Sequence, residues 1–185
     1  MRRMLILIGL AAVLAGPARA GPTAEAEAAF ETDDYDRALA LYSQAVDQAG
    51  ASPAARASAL FDRAEAYGRH AEDQKALADY GEALQLAADP RFKAVVLTGR
   101  ADLYAQMRRY PDAIADYTQA LALKPDLVGV HTARGQTYSR IRDDTSAMAD
   151  YEAELKLNPK YPRALRARAV LLGQPDPTQI KEHAW

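Results

Sequence analysis

Three histidines and 25 acidic residues are the side chains that could take part in catalysis or metal binding. His70, His131 and His183 lie far apart, and none has a second histidine or carboxylate at metal-ligand spacing. The sequence has no glycine-rich phosphate loop and no serine in a nucleophile-elbow context. It also has no cysteine, which excludes thiolate metal sites and thiol nucleophiles. Carboxylates could still pair in space as an acid and a base. The prediction is nevertheless a protein that is not an enzyme and carries no cofactor or metal.

The N-terminal segment has the order of a secretory signal peptide. Arg2 and Arg3 precede an apolar run over residues 4–15, and the small-residue triplet Ala18-Arg19-Ala20 follows. This order predicts cleavage after Ala20 and a periplasmic or secreted protein. The apolar run is too short for a comfortable membrane anchor, so we expect no stable membrane span after cleavage. An uncleaved anchoring segment is the alternative interpretation.

Charge is distributed unevenly along the remaining chain. Residues 21–90 hold 5 basic and 14 acidic side chains, a net charge of 5 − 14 = −9. Residues 91–185 hold 15 basic and 11 acidic side chains, a net charge of 15 − 11 = +4. This asymmetry predicts a polarised surface that steers a charged partner, with a chance asymmetry of a solvated surface as the alternative. The acidic total argues against nucleic acid as a partner.

Tyrosine and alanine recur at fixed distances through the middle of the chain. In each unit an arginine precedes a tyrosine by four residues, an alanine follows it by nine, and a second tyrosine comes four residues later. The second tyrosine and its flanking small residues fall on one stripe of a helix, where alanines allow two helix backbones to approach closely. The recurring residues are Arg63, Tyr67, Ala76 and Tyr80, then Arg100, Tyr104, Ala113 and Tyr117, then Arg134, Tyr138, Ala147 and Tyr151.

This pattern resembles the tetratricopeptide repeat, a helix–turn–helix unit of about 34 residues. Leu60, Leu97 and His131 occupy the place of the family's tryptophan. The resemblance implies an all-α fold, an α-solenoid of helix–turn–helix repeats. It would contain about three clear repeats, one degenerate N-terminal repeat and one C-terminal capping helix. The predicted organisation is a signal peptide over residues 1–20, a repeat domain over 21–172 and a C-terminal tail over 173–185 that contains Trp185.

The resemblance also implies that a protein or peptide segment binds a concave groove made by the first helices of the repeats. The residues expected to line it are Phe61, Glu65, Arg69, Thr98, Asp102, Gln106, Thr132, Gln136, Arg140, Arg163 and Arg166. The lining becomes basic towards the C-terminal end. We therefore expect a partner with an acidic part over Arg140 and Arg166 and an apolar side chain near Phe61. The alternative is that Phe61 packs within the first unit and the arginines only keep the surface soluble.

Two binding modes of the family do not fit these positions. Members that hold a C-terminal carboxylate use lysine and asparagine on the inner helices, where this chain has residues such as Phe61, Glu65 and Thr98. Members that hold peptide backbone use a ladder of asparagines, and Asn158 is the single asparagine of this sequence. A small-ligand carrier or enzyme on a helical solenoid, and a structural spacer or self-associating subunit, are the alternative functions.

A repeated arginine–aspartate pair is predicted inside the stack. Arg63, Arg100 and Arg134 recur on first helices and point towards the second helices, because each lies about 160–200° from the groove side of its helix. Asp79, Asp116 and Asp150 recur just before the second-helix tyrosines. We expect the pairs to form within each unit. Pairing to the next unit, marked by Arg168 with Asp150, and solvated charges without pairing are the alternatives.

Overall fold

The computed structural model describes residues 22–178. The predicted signal peptide, its cleavage site and Trp185 lie outside these described residues, so those predictions stay untested. Within residues 22–178 the regular structure is entirely helical. Each of these helices is too short or too polar to cross a bilayer. The helices are α1 (Pro22–Glu31), α2 (Tyr35–Gln48), α3 (Pro53–Arg69), α4 (Asp73–Leu86), α5 (Pro90–Gln106), α6 (Tyr110–Leu123), α7 (Val130–Arg140), α8 (Asp144–Leu157) and α9 (Pro162–Leu171).

The chain divides into two compact units, Met1–Val96 and Leu97–Trp185, with the boundary inside α5. In the first unit, α1 packs on α2, α2 on α3, and α3 on α4. In the second unit, α6 packs on α7, α7 on α8, and α8 on α9. Each unit therefore consists of consecutive antiparallel helix pairs, which confirms the predicted all-α helical-repeat fold of the solenoid class. The predicted final first-type helix is α9, which lacks a second helix within the described residues.

Local sequence signals set where the helices begin. Asp34, Ser52 and Asp143 each accept a hydrogen bond from a backbone N–H in the first turn of α2, α3 and α8. Pro111 occupies the first turn of α6, where its missing N–H costs nothing. Glu72 precedes α4 without such a side-chain cap.

Each first helix ends in the same tight turn. Ala71, Arg108 and Arg142 have φ values of 63°, 59° and 65°, in the left-handed region that favours glycine. The backbone carbonyl of Tyr67 accepts the N–H of the residue five positions later, and Tyr104 and Tyr138 repeat that bond. This arrangement satisfies carbonyls at the helix end and turns the chain directly into the second helix.

Small residues form the contacts between helices. In the first unit, Ala26, Ala38 and Ala66 pack with Tyr42 in one buried cluster. In the second unit, Tyr117 and Tyr151 are 1% and 2% exposed, and Gly135 lies directly against the ring of Tyr151. Alanine and glycine bring the helix backbones together, and one tyrosine from each second helix fills the space that remains. The spacing of these residues thus determines the helix pairing that positions the charged side chains.

Candidate functional site

The arginine–aspartate ladder is present within each of the three clear repeats. Arg100 donates from Nε and Nη2 to the two carboxylate oxygens of Asp116 at 2.7 and 2.9 Å. Arg63 makes the same two-bonded contact with Asp79, and Arg134 makes it with Asp150. The aspartates are buried while the arginines are partly exposed. The predicted pairing within units is therefore confirmed.

Two ladder arginines also reach the second helix of the preceding repeat. Nη1 of Arg63 donates to the hydroxyl of Ser43 at 3.3 Å, and Nη1 of Arg134 donates to Thr118 at 2.9 Å. Each of these guanidinium groups thus connects a helix pair to its neighbour. The ladder thus links successive repeats. The charge of each of these arginines is compensated by its paired aspartate.

His131 joins the third pair, a contact that the sequence analysis did not anticipate. Its Nδ1 lies 3.2 Å from Oδ1 of Asp150, and its ring is mostly buried. Burial alone would raise the pKa of Asp150, but the hydrogen bonds from Arg134 and His131 outweigh it and lower that pKa. The ring of His131, at the place of the family's tryptophan, is therefore largely buried and also supports the ion pair.

Two of the acids predicted to face a partner are held by tyrosines of their own repeat. The hydroxyl of Tyr80 donates to Glu65, and the hydroxyl of Tyr117 donates to Asp102. Burial raises the pKa of Glu65, although the Tyr80 hydroxyl and the charge of Arg69 act in the opposite direction. Both acids thus have an internal structural role that the sequence pattern did not reveal.

Three other residues that were predicted to line the groove are also less accessible to a partner than expected. Thr98 and Thr132 are 7% and 1% exposed, so in this conformation they cannot contact a partner and their assignment as lining residues is wrong. They were misplaced because this position of α5 and α7 is covered in the folded chain, which the spacing along one helix does not show. Phe61 is half-buried and packs against the rings of Tyr80 and Phe92, 6.0 Å away between centroids in each case. Its packing role is therefore the better supported interpretation.

The remaining predicted residues are more accessible. Gln106, Arg140 and Arg166 are exposed, and Gln136 and Arg163 are half-buried. Arg69 is exposed, with its guanidinium 4.9 Å from the centre of the Phe30 ring. Arg140 and Arg166 have no hydrogen bond or ion pair to other residues within 22–178. In the second unit the first-type helices α7 and α9 thus carry basic side chains whose charges are not used by the fold.

Arg163 adds a donor that the fold does not satisfy. Its Nη1 is buried and makes no hydrogen bond to any described residue. Burial raises the pKa of the Tyr117 hydroxyl, the nearby carboxylate of Asp102 raises it further, and the guanidinium of Arg163 opposes both. Arg163 is therefore close enough to Tyr117 to act on it electrostatically. We call Arg140, Arg163 and Arg166 the basic face of the second unit.

The sequence pattern did not predict the role of one buried acid, Glu154. Glu154 is 0% exposed, and both its carboxylate oxygens lie 3.0 Å from the backbone N of Gly129, which donates to them. Gly129 precedes α7 with φ 84°, so the carboxylate lies at the positive end of that helix. The other two clear repeats have Ala83 and Ala120 at this position, and that departure from alanine was the available signal.

Comparison with known proteins gives one repeat match and a consistent fold. A sequence model of the family described as TPR repeat matches residues 101–141. No curated protein sequence is significantly similar to the chain. Among solved structures, a tetratricopeptide repeat protein from Parabacteroides merdae is 23% identical, with a TM-score of 0.70 over 81% of this chain and 57% of its own. The chain thus spans little more than half of that relative.

Two further solved structures with a similar fold are of proteins that are reported with a bound peptide or a peptide-binding site. The first TPR of Spaghetti (RPAP3), solved with the HSP90 peptide SRMEEVD, is 23% identical, with a TM-score of 0.60 over 65% of this chain and 93% of its own. YrrB, described as a TPR protein with an unusual peptide-binding site, is 16% identical, with a TM-score of 0.62 over 82% and 75%. At these identities the likeness shows the fold alone. The family model thus places a tetratricopeptide-type repeat at residues 101–141, and the described residues share the fold of tetratricopeptide-repeat structures.

Proposed function

We propose that this chain is a protein-interaction module and that an acidic segment of a partner protein binds the basic face of its second unit. The observation that carries the proposal is the contrast between two sets of arginines. Arg100 and Arg134 are each neutralised by an aspartate of the same repeat. Arg140 and Arg166 are exposed and unpaired within residues 22–178.

The chemistry of these side chains favours a carboxylate-bearing partner. A guanidinium group presents several donors in one plane and binds a carboxylate through two parallel hydrogen bonds. Arg166 lies on α9 and Arg140 on α7, a helix that contacts α9. The net charge of +4 over residues 91–185 adds a field that accelerates encounter with an acidic segment. Binding by this face should therefore weaken as salt is added.

The inner residues of the first unit contribute less to this proposal. Glu65 is bonded to Tyr80, and Phe61 is engaged by Tyr80 and Phe92. Arg69 is the exposed side chain of that set. An apolar contact of the partner at Phe61 stays a prediction, which Phe61→Ala tests separately.

We further propose that the protein acts outside the cytoplasm. The basis is the order of charges, apolar residues and small residues in residues 1–20. N-terminal sequencing of the exported protein should begin at Gly21. Intact protein that keeps Met1 in the cytoplasm would contradict export without affecting the interaction proposal.

A pull-down with matched charge reversals tests the interaction. The tagged protein is incubated with an extract of the cells that produce it, and captured proteins are identified by mass spectrometry. We expect the double variant Arg140→Glu with Arg166→Glu to lose its specific partner. The control is Lys156→Glu with Lys160→Glu, which makes the same charge change at two exposed positions outside the basic face. Retention of every partner by the first variant, with circular dichroism unchanged, would show that this face is not the binding surface.

A further inference from the structure

The helix α1 presents an acidic surface in the first unit. Residues 21–36 hold six acidic and no basic side chains. Within α1, Ala24 and Ala28 are exposed and, being four residues apart, share one side of the helix. Glu25 and Glu31 are also exposed, and each lies three residues from Ala28. We call Ala24, Glu25, Ala28 and Glu31 the acidic face of the first unit.

The helix α9 has the opposite character in the second unit. Residues 160–173 hold four basic and no acidic side chains. Val170 of α9 is 79% exposed. Arg163 and Arg166 of the basic face lie seven and four residues before Val170, so the three share one side of α9. An exposed apolar side chain thus lies between two guanidinium groups.

The acidic face and this side of α9 are complementary in charge and in shape. Carboxylates flank the exposed alanines of α1, and guanidinium groups flank the valine of α9. Alanine leaves a shallow depression on a helix, where a larger aliphatic side chain of another helix can pack. Guanidinium and carboxylate groups pair through two parallel hydrogen bonds. Because each copy of the chain carries both surfaces, one copy can bind another.

We propose that the acidic segment that binds the basic face is α1 of a second copy of this chain. In this contact Val170 packs over Ala28, and Arg166 pairs with a carboxylate of the acidic face. The inference rests on the proposed function, because it names the partner of the same face. The net charges of −9 over residues 21–90 and +4 over residues 91–185 steer two copies towards this contact. Two different surfaces meet in it, so association can continue beyond two copies.

The molar mass of the protein, measured by light scattering, tests this self-association. We expect the mass of the unmodified protein to rise with concentration at low salt and to return to that of one chain at high salt. The variant Glu25→Lys with Glu31→Lys should remain a single chain, and so should Arg140→Glu with Arg166→Glu, because each keeps only one of the two faces. All four positions are exposed, so both variants should fold, and circular dichroism checks this.

An equal mixture of these two variants gives the sharpest result. The first variant keeps its basic face and the second keeps its acidic face, so the mixture should form a complex of two chains and grow no further. The matched control is Asp36→Lys with Asp47→Lys on α2, the same charge change at exposed positions outside the acidic face. This control should self-associate like the unmodified protein.

A single-chain mass of the unmodified protein at every concentration would overturn the inference, and so would a mixture that does not combine. Equal loss of association in the α2 control would also overturn it, since total charge would then drive association. The pull-down separates this inference from the proposed function. If the unmodified protein stays a single chain but Arg140→Glu with Arg166→Glu still loses another captured protein, the proposed function stands and the second copy is excluded as the partner.

Discussion

Removing one member of the ladder should destabilise the fold through the partner left behind. Asp116→Ala leaves the guanidinium of Arg100 without its carboxylate. Breaking a fully buried pair in this way costs about 3–5 kcal/mol. The side chain of Arg100 is 23% exposed and that of Asp116 only 5%, so the freed guanidinium gains some contact with water. We therefore expect the lower part of the range, about 3 kcal/mol, after discounting for solvent.

Thermal unfolding followed by circular dichroism measures this cost. For a chain of this size each kcal/mol lowers the midpoint by about 2–4 °C, so the variant should melt about 6–12 °C earlier. The control is Asp112→Ala on the same helix, whose ion pair with Arg109 is nearly half exposed and should contribute little. Replacing both partners, as Arg100→Met with Asp116→Ala, should cost less than the sum of the single changes. An unchanged midpoint for Asp116→Ala would refute the structural role of the ladder.

Four further substitutions test the packing, the buried acid and the ion pairs. Gly135→Ala should destabilise the fold by about 1–3 kcal/mol, because the added Cβ would lie 2.7 Å from the ring of a second-helix tyrosine. Gly81→Ala has free space around the added Cβ and should stabilise the fold by about 0.5–1 kcal/mol in the same melting assay. Glu154→Ala should lower the free energy of unfolding in urea by about 1–3 kcal/mol, because it leaves a buried backbone N–H unpaired. The other clear repeats have alanine at this position, but an unchanged stability of Glu154→Ala would contradict the role of this bond. The lowered pKa of Asp150 stabilises the fold above the ordinary value of 3.8, and this contribution disappears as pH falls through the lower folded value. Asp150→Asn should accordingly weaken the acid dependence of stability, and an identical pH profile would exclude that origin.

The repeat architecture could be predicted because its determinants are local and recur. Alanine–tyrosine spacing identifies the packed face of each helix, and turn residues mark the helix ends. The ladder could be predicted for a related reason. Residues equivalent to Arg100 and Asp116 recur with the same spacing in each clear repeat. Helical geometry places such residues opposite each other.

The surface proved harder to predict, because exposure depends on how closely neighbouring helices approach. Thr98 and Thr132 share the face of the exposed residues on a helical wheel but are covered in the folded chain. The bonds of Tyr80 to Glu65 and of Tyr117 to Asp102 depend on rotamers across a helix pair, which one-dimensional spacing does not contain. The bond from Gly129 to Glu154 joins residues that are 25 positions apart.

Binding of acidic peptides by the basic face is the most direct test of the account. A displayed library of random peptides is selected on the immobilised protein, and enriched peptides are remade and titrated by fluorescence anisotropy at low and high salt. We expect acid-rich peptides that bind more weakly as salt rises. We also expect that Arg140→Glu with Arg166→Glu abolishes binding and that Lys156→Glu with Lys160→Glu does not. Enrichment of peptides without acidic residues, or equal binding by both variants, would contradict the claim that this face recognises the partner.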